Sequence, residues 1–170
     1  MKAPARILVL GYRHLGDALF LTPMLRALKR RFPAARIDVV AGGAGAAALA
    51  GNPNVARVWP LRGRGTRPKL ALTPALRRER YDVGVMAQHS LPNAIHLRLV
   101  GCRTTVGLEG YGCRPLLTHA VPVPRPSDAW HEVDRYLALA AALNAPGDDA
   151  GLEFHIAAAD RAEATAALDR

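Results

Sequence analysis

Short apolar runs alternate with segments of helical periodicity through the first 107 residues. The run at residues 7–10 is closed by Gly11, which is typical of a strand buried on both faces. Further strands are predicted at residues 36–41, 55–61, 81–87 and 104–107, and helices at 17–32, 46–50, 73–80 and 93–100. Pro23 predicts that the first helix is kinked or begins near Thr22. This alternation predicts an α/β fold with a Rossmann-like, mostly parallel open sheet and helices on both faces.

The last third of the chain is less regular. Residues 109–128 are predicted to hold little structure beyond a short strand at 116–121. A helix is predicted at residues 130–144, a strand at 152–156 and a last helix at 159–170. A chain of 170 residues is long enough for one domain with a single core.

Composition narrows the class of protein. Half of the residues are hydrophobic but only 5% are aromatic, which suits helices packed on a sheet better than a β-sandwich. No apolar stretch approaches the ~20 residues that a membrane-spanning helix needs. Two cysteines form neither a disulfide framework nor a metal set, which agrees with a reducing compartment. We therefore expect a cytoplasmic protein.

Charge is distributed unevenly. Residues 1–125 contain 20 Lys and Arg against 5 Asp and Glu, whereas residues 126–170 contain 3 against 9. The basic part favours an anionic partner, and nucleic acid, phospholipid headgroups and phosphorylated sugars all qualify. Apart from Trp59, the basic cluster at residues 57–80 lacks interleaved aromatics for base stacking. A solvated surface explains this cluster as well as an anion site does.

Ligands of open α/β sheets bind beyond the carboxyl ends of the strands, so the loops at residues 11–17 and 88–92 are the candidate site. The first loop has two glycines around four residues, but Asp17 stands where a nucleotide-binding loop needs lysine. Asp17 either caps its helix or serves the site.

The glycines at residues 43–45 lack the acidic partner of a dinucleotide site, because no Asp or Glu lies between Asp38 and Glu79. No histidine pair has metal-ligand spacing, whereas His14 and His89 fall on the two loops.

The chain opens with ILVL at residues 7–10, RHLGDAL at 13–19, TPMLRALK at 22–29 and FP at 32–33. This order resembles the opening of glycosyltransferase family 9, the ADP-heptose:lipopolysaccharide heptosyltransferases. Shorter similarities continue to residues 131–136, so the resemblance covers nearly the whole chain.

The resemblance implies a GT-B enzyme, in which two Rossmann-like domains face each other across a cleft. Residues 1–170 would form the N-terminal, acceptor-binding domain. The nucleotide-sugar domain of the family begins about where the chain ends, so we expect the chain to be inactive alone. The resemblance makes Asp17 the general base of an inverting transfer. It implies these substrate-binding residues: Arg13, His14, Gly16, Thr22, Gln88, His89 and Ser90.

The same resemblance implies partners and reaction requirements. The donor would be ADP-heptose or a related nucleotide sugar, and the acceptor an anionic glycolipid of the lipopolysaccharide type, with peripheral contact to the inner membrane. It implies no metal, no cofactor and no nucleic acid. The alternative is a non-enzymatic basic α/β module that binds nucleic acid or an anionic membrane. A receiver-like regulatory domain is disfavoured, because the first loop offers Asp17 alone rather than an acidic pocket.

Overall fold

A computed structural model describes residues 3–11, 13–63, 65–123, 130–156 and 158–168. One sheet of six parallel strands forms its centre, in the order β3-β2-β1-β4-β5-β6. The strands are β1 (Arg6–Leu10), β2 (Arg36–Ala41), β3 (Arg57–Pro60), β4 (Val83–Met86), β5 (Thr104–Leu108) and β6 (His119–Val121). The predicted Rossmann-like architecture is confirmed, and this strand order is the one typical of dinucleotide-type doubly wound sheets.

Helices cover both faces of the sheet. They are α1 (Leu15–Phe20), α2 (Thr22–Arg31), α3 (Gly43–Leu49), α4 (Thr66–Arg78), α5 (Leu91–Val100), α6 (Glu132–Ala141) and α7 (Ala158–Leu168), with a 3₁₀ turn at Arg114–Leu116. Successive side chains of β1 alternate between the faces, as a strand requires. Ile7 and Val9 join the core beneath α1, α2, α3 and α6, whereas Leu8 and Leu10 join the core beneath α4 and α5. The continuous apolar run of β1 therefore reflects burial from both sides.

The predicted helix at residues 17–32 is two helices. Leu21 separates α1 from α2, and Thr22 and Pro23 occupy the first turn of α2, where the missing proline N–H costs no hydrogen bond. The prediction that a helix begins near Thr22 is confirmed.

Helix α4 begins at Thr66, seven residues before the predicted start at residue 73. Pro68 lies in its first turn, where proline is tolerated, and Pro74 lies within the helix. The basic loop predicted from residue 62 is correspondingly shorter.

The strand predicted at residues 152–156 is wrong, since this segment lies outside the sheet. Its anchor is Glu153, whose backbone N–H donates to the Thr22 hydroxyl at 2.9 Å. The Glu153 carboxylate accepts from Arg26 at 2.6 Å. Polar contacts to α2 thus take the place of strand pairing.

None of the helices in the described ranges is long and apolar enough to cross a membrane.

Candidate functional site

The sheet has a topological switch point between β1 and β4. The chain leaves β1 toward β2 on one side and leaves β4 toward β5 on the other, so the two connections diverge and open a crevice. Leu10 and Met86 are paired at the ends of the two strands. The two loops that the sequence indicates as ligand-facing therefore flank one crevice.

Two cavities open at this crevice. The α6-side cavity, of about 600 Å³, is lined by Asp17, Gln88, His89, Ser90, Tyr111 and Arg135 among others. The Arg13-side cavity, of about 340 Å³, is lined by Arg13, His14, Asp17, Gly63, Lys69 and Gln88 among others. Asp17 and Gln88 line both cavities and thus mark the boundary between them.

Asp17 is half-buried at the third position of α1. The residue that precedes the helix is His14, and no side chain caps it. Among the residues that the structure describes, none makes a hydrogen bond or ion pair to the Asp17 carboxylate. The helix N-terminus favours a negative charge at this position. Asp17 is therefore not a helix cap here, and its carboxylate faces the crevice with its oxygens available to a ligand.

The loop after β4 contributes the opposite wall. Ser90 is the N-cap of α5, and its hydroxyl accepts from the Asn93 N–H at 3.4 Å. The Asn93 side-chain amide donates to the Gln88 carbonyl at 2.8 Å, which holds the loop in shape. The His89 ring stacks on Tyr111, with ring centroids 5.3 Å apart. Gln88, His89 and Ser90 are thus brought together beside Asp17.

Arg13 ties two loops together. Its Nη1 donates to the carbonyl of Leu61 at 3.1 Å and to that of Gly63, both in the loop before α4. Gly42 makes room for it, because a Cβ at that position would lie 2.8 Å from Arg13 Nη1. The Arg13 side chain therefore shapes the Arg13-side cavity as well as lining it.

The remaining candidates lie apart from this group or at its edge. His14 is exposed and lines the Arg13-side cavity. Gly16 is exposed on α1 but is not among the residues that line these two cavities. Thr22 is fully buried away from them, with its hydroxyl donating to the Leu19 carbonyl at 2.7 Å and accepting from Glu153. The geometry gives Thr22 the role of an anchor between α2 and Glu153.

Sequence reasoning did not assign site roles to Tyr111, Glu132 and Arg135, which line the α6-side cavity. A capping box starts α6: His131 Nδ1 accepts from the backbone N–H of the second helical residue at 3.3 Å, and the Asp134 carboxylate accepts from the His131 N–H at 3.1 Å. This cap places Arg135 at the cavity, where its Nη1 donates to Glu132 at 2.7 Å. The only signal for Glu132 and Arg135 was the similarity at 131–136, and Tyr111 had none.

Arg135 has unused hydrogen-bonding capacity. Its Nε is buried and has no partner among the residues that the structure describes. A buried N–H without an acceptor is costly. The Arg135 side chain as a whole is 32% exposed and lines the cavity, so its guanidinium can meet an anionic ligand group there.

Lys69 adds a cation to the Arg13-side cavity. Its Nζ donates to Asn93 Oδ1 at 2.5 Å, and burial lowers the pKa of its ammonium group. Each cavity therefore offers a cation near Asp17. Within the described ranges, no three His, Cys, Asp or Glu side chains cluster closely enough to hold a metal ion.

These features define a Rossmann-like domain that presents a carboxylate between two polar cavities at its switch point. No protein-family model matches the sequence, and no curated protein matches it significantly. Solved structures do. A glycosyl transferase family 9 structure from Veillonella parvula DSM 2008 superposes with a TM-score of 0.81 at 21% identity, covering 97% of this chain and 49% of that one.

Two Escherichia coli structures are also similar. ADP-heptose LPS heptosyltransferase II gives a TM-score of 0.77 at 24% identity, covering 96% of this chain and 50% of that one. The heptosyltransferase WaaC with ADP gives 0.73 at 20% identity, covering 89% and 51%. The chain thus has the fold of the N-terminal half of the GT-B heptosyltransferases and spans about half the length of these proteins. The structural similarity that the sequence motifs implied is confirmed.

Proposed function

We propose that this chain is the acceptor-binding half of an inverting glycosyltransferase, which transfers heptose or a related sugar from an ADP-sugar to a lipopolysaccharide-type acceptor. The observation that carries the proposal is the Asp17 carboxylate, which is available to a ligand at the switch point and borders both cavities. The similarity in fold to heptosyltransferases supports the reaction class.

In the proposed reaction, Asp17 acts as general base. Its carboxylate takes the proton from an acceptor hydroxyl while that oxygen attacks the anomeric carbon of the donor sugar. The bond from the anomeric carbon to the nucleoside diphosphate breaks on the opposite face, so the configuration inverts. The base works without a metal or a cofactor in this scheme.

The α6-side cavity is the proposed acceptor site. Arg135 would bind an acidic group of the acceptor, because its side chain lines the cavity, is 32% exposed and can donate charge-assisted hydrogen bonds. The stacked His89 and Tyr111 rings offer an apolar surface to a sugar ring, and the polar groups of Gln88 and Ser90 lie beside it. On the other side of Asp17, Arg13 and His14 face the space that we assign to the approaching donor.

The donor belongs to a second domain in this proposal. The similar E. coli structures are described as an ADP-heptose heptosyltransferase and as a heptosyltransferase with ADP, and the chain spans about half of each. We therefore infer that transfer needs a nucleotide-sugar domain in addition to residues 1–170. A cytoplasmic location with peripheral contact to the membrane would bring the site to a glycolipid.

Acceptor binding by the chain itself tests the proposal. Calorimetric titration with a deacylated, anionic lipopolysaccharide core oligosaccharide should give saturable binding, and a neutral oligosaccharide of similar size should bind weakly. Arg135→Gln should weaken binding about 10- to 100-fold, since hydrogen bonds to charged groups contribute about 1.5–3 kcal/mol.

The matched control is Arg31→Gln. It removes an exposed arginine from the last turn of α2, outside the residues that line the two cavities. It should leave the affinity unchanged. Tighter binding of an oligonucleotide than of the oligosaccharide, with a steep dependence on salt, would favour the nucleic-acid alternative and overturn the proposal.

A further inference from the structure

Helices α4 and α5 form an exposed surface with an unusual mixture of side chains. We propose that this surface docks the protein on an anionic lipid bilayer and thereby brings the α6-side cavity to the acceptor. The inference rests on the proposed function for its purpose, because a glycolipid acceptor lies in a membrane.

The exposed face of α5 is almost entirely apolar. Leu91, Ile95 and Leu99 follow one another at helical spacing and are 40%, 43% and 42% exposed. A helix packed on a soluble domain ordinarily turns such positions to the core and polar residues to water. On α4, Leu70 adds a fourth large apolar side chain that is 51% exposed. The apolar side chains therefore form a stripe along α5, and the neighbouring α4 adds Leu70 to the exposed apolar surface.

The two helices lie side by side along their length. Near one end, Lys69 Nζ donates to Asn93 Oδ1 at 2.5 Å, and near the other, Arg77 Nη1 donates to the Leu99 carbonyl at 3.5 Å. The exposed residues of α4 and α5 thus belong to one continuous surface.

All the charges on this surface are positive. Every residue of α4 and α5 is described, and their exposed residues include four arginines, Arg67, Arg77, Arg78 and Arg98, and no carboxylate. Glu79, the acid that directly follows α4 in the chain, is half-buried and is bound by Arg6 and Arg57. The acids near Leu91, Asp17 and Glu132, belong to the lining of the α6-side cavity. An apolar stripe bordered by arginines matches the boundary between acyl chains and anionic headgroups. A nucleic acid would complement the arginines but not the leucines and isoleucine.

The stripe begins at the mouth of the site. Leu91 and Pro92 line the α6-side cavity, and Ile95 and Leu99 continue away from it by one and two turns. A glycolipid whose sugar occupies this cavity would therefore have its lipid portion beside the exposed face of α5. The docking surface and the proposed acceptor site are continuous.

Vesicle co-sedimentation tests the proposal directly. The chain should pellet with vesicles of phosphatidylglycerol and phosphatidylcholine, less so as salt rises, and should not pellet with phosphatidylcholine alone. Ile95→Gln should weaken binding about tenfold, because it removes apolar area that the bilayer would bury. Arg67→Gln together with Arg98→Gln should weaken it about 25-fold, at about fivefold for each arginine near the headgroups.

Two matched controls lie on the opposite face of the molecule. Leu152→Gln removes an equally exposed apolar side chain, and Arg31→Gln removes an exposed arginine. Both should bind vesicles like the unmodified protein. The proposal would be overturned if the arginine variant loses vesicle binding while Ile95→Gln keeps it. It would also be overturned if the arginine substitutions weaken binding to an oligonucleotide instead of binding to vesicles.

The two proposals can fail separately. Ile95→Gln should bind the soluble core oligosaccharide normally, whereas Arg135→Gln should lose oligosaccharide affinity and still pellet with anionic vesicles. Vesicle binding without any oligosaccharide binding would leave the docking surface standing and remove the acceptor site. The reverse result would remove the docking surface alone.

Discussion

A buried hydrogen-bond network on β2 provides a quantitative test of the fold. Asp38 is fully buried and accepts from the Tyr81 hydroxyl at 2.6 Å, from Arg36 Nε at 2.9 Å and from Trp59 Nε1 at 3.2 Å. Burial, followed by the hydrogen bond to Asp38, raises the pKa of Tyr81. The network joins β2 and β3, and the loops that follow these two strands contact Arg13. Its integrity therefore affects the shape of the site as well as stability.

Tyr81→Phe removes one oxygen from this network. Asp38 keeps its hydrogen bonds from Arg36 and Trp59, so the carboxylate remains partly satisfied. The change removes the hydrogen bond to Asp38 and also the one that Trp59 Nε1 donates to the Tyr81 hydroxyl at 3.0 Å, although Trp59 keeps Asp38 as an acceptor. We expect the free energy of unfolding to fall by about 1.5–3 kcal/mol. Asp38→Ala removes the acceptor of the buried Tyr81 hydroxyl and the ion-pair partner of Arg36, and should cost about 3–5 kcal/mol.

Urea unfolding followed by tryptophan fluorescence and circular dichroism measures this effect. With a urea m-value of about 2 kcal/mol per molar, Tyr81→Phe should lower the unfolding midpoint by about 1 M. Tyr111→Phe deletes the same atom from a side chain that is 73% exposed, and its cost should stay within about 0.5 kcal/mol. Equal midpoints for the two variants would refute the reasoning that the buried hydroxyl stabilises Asp38.

Three further predictions concern the site and its supports. Asp17→Asn should slow sugar transfer about 10²- to 10⁴-fold, measured by single-turnover assay in a protein that joins this half to a donor half. Its unfolding free energy should change by less than about 1 kcal/mol, because only the favourable helix-terminus charge is lost. Gly42→Ala places a Cβ against Arg13 and should destabilise the fold by about 1–3 kcal/mol in urea and weaken oligosaccharide binding. Hydrogen bonds from Arg26 hold the pKa of Asp148 well below its ordinary value of 3.8. The stability that this ion pair contributes is therefore complete above pH 3.8 and declines as the pH falls further. Measuring the unfolding midpoint across an acid titration should record this decline.

Each of these has a control. An unchanged transfer rate in Asp17→Asn would remove Asp17 as base. Gly16→Ala is the control for the added Cβ of Gly42→Ala, because a Cβ at residue 16 meets nothing within 4 Å. Asp148→Asn should flatten the acid dependence, and an identical pH profile in this variant would contradict the assignment to Asp148.

Local patterns in the sequence were sufficient for the sheet and for the position of the crevice. The strand at Arg36–Ala41 has the predicted bounds, and the apolar run after Arg6 is a central strand. Strand–helix alternation restricts the connections to right-handed crossovers, so the loops after the first and fourth strands could be placed at the carboxyl edge before any coordinates. Asp17, Gln88, His89 and Ser90 fall in the two predicted loop segments, and the family resemblance singled out Asp17, Gln88 and Ser90 within them. The structure places Asp17 in the first turn of α1.

The remaining features of the site and surface depended on contacts between residues far apart in the chain. Thr22 has a site-like position in the sequence, yet it is buried against Glu153, 131 residues later. Tyr111 and Arg135 line a cavity with Asp17 only because β5 and α6 return the chain to the same edge of the sheet. The exposed stripe on α5 was equally hidden, since an apolar periodicity does not reveal which side of a helix the core covers. Sequence periodicity thus determined which elements form, whereas their packing decided which side chains share a cavity and which apolar residues face outward.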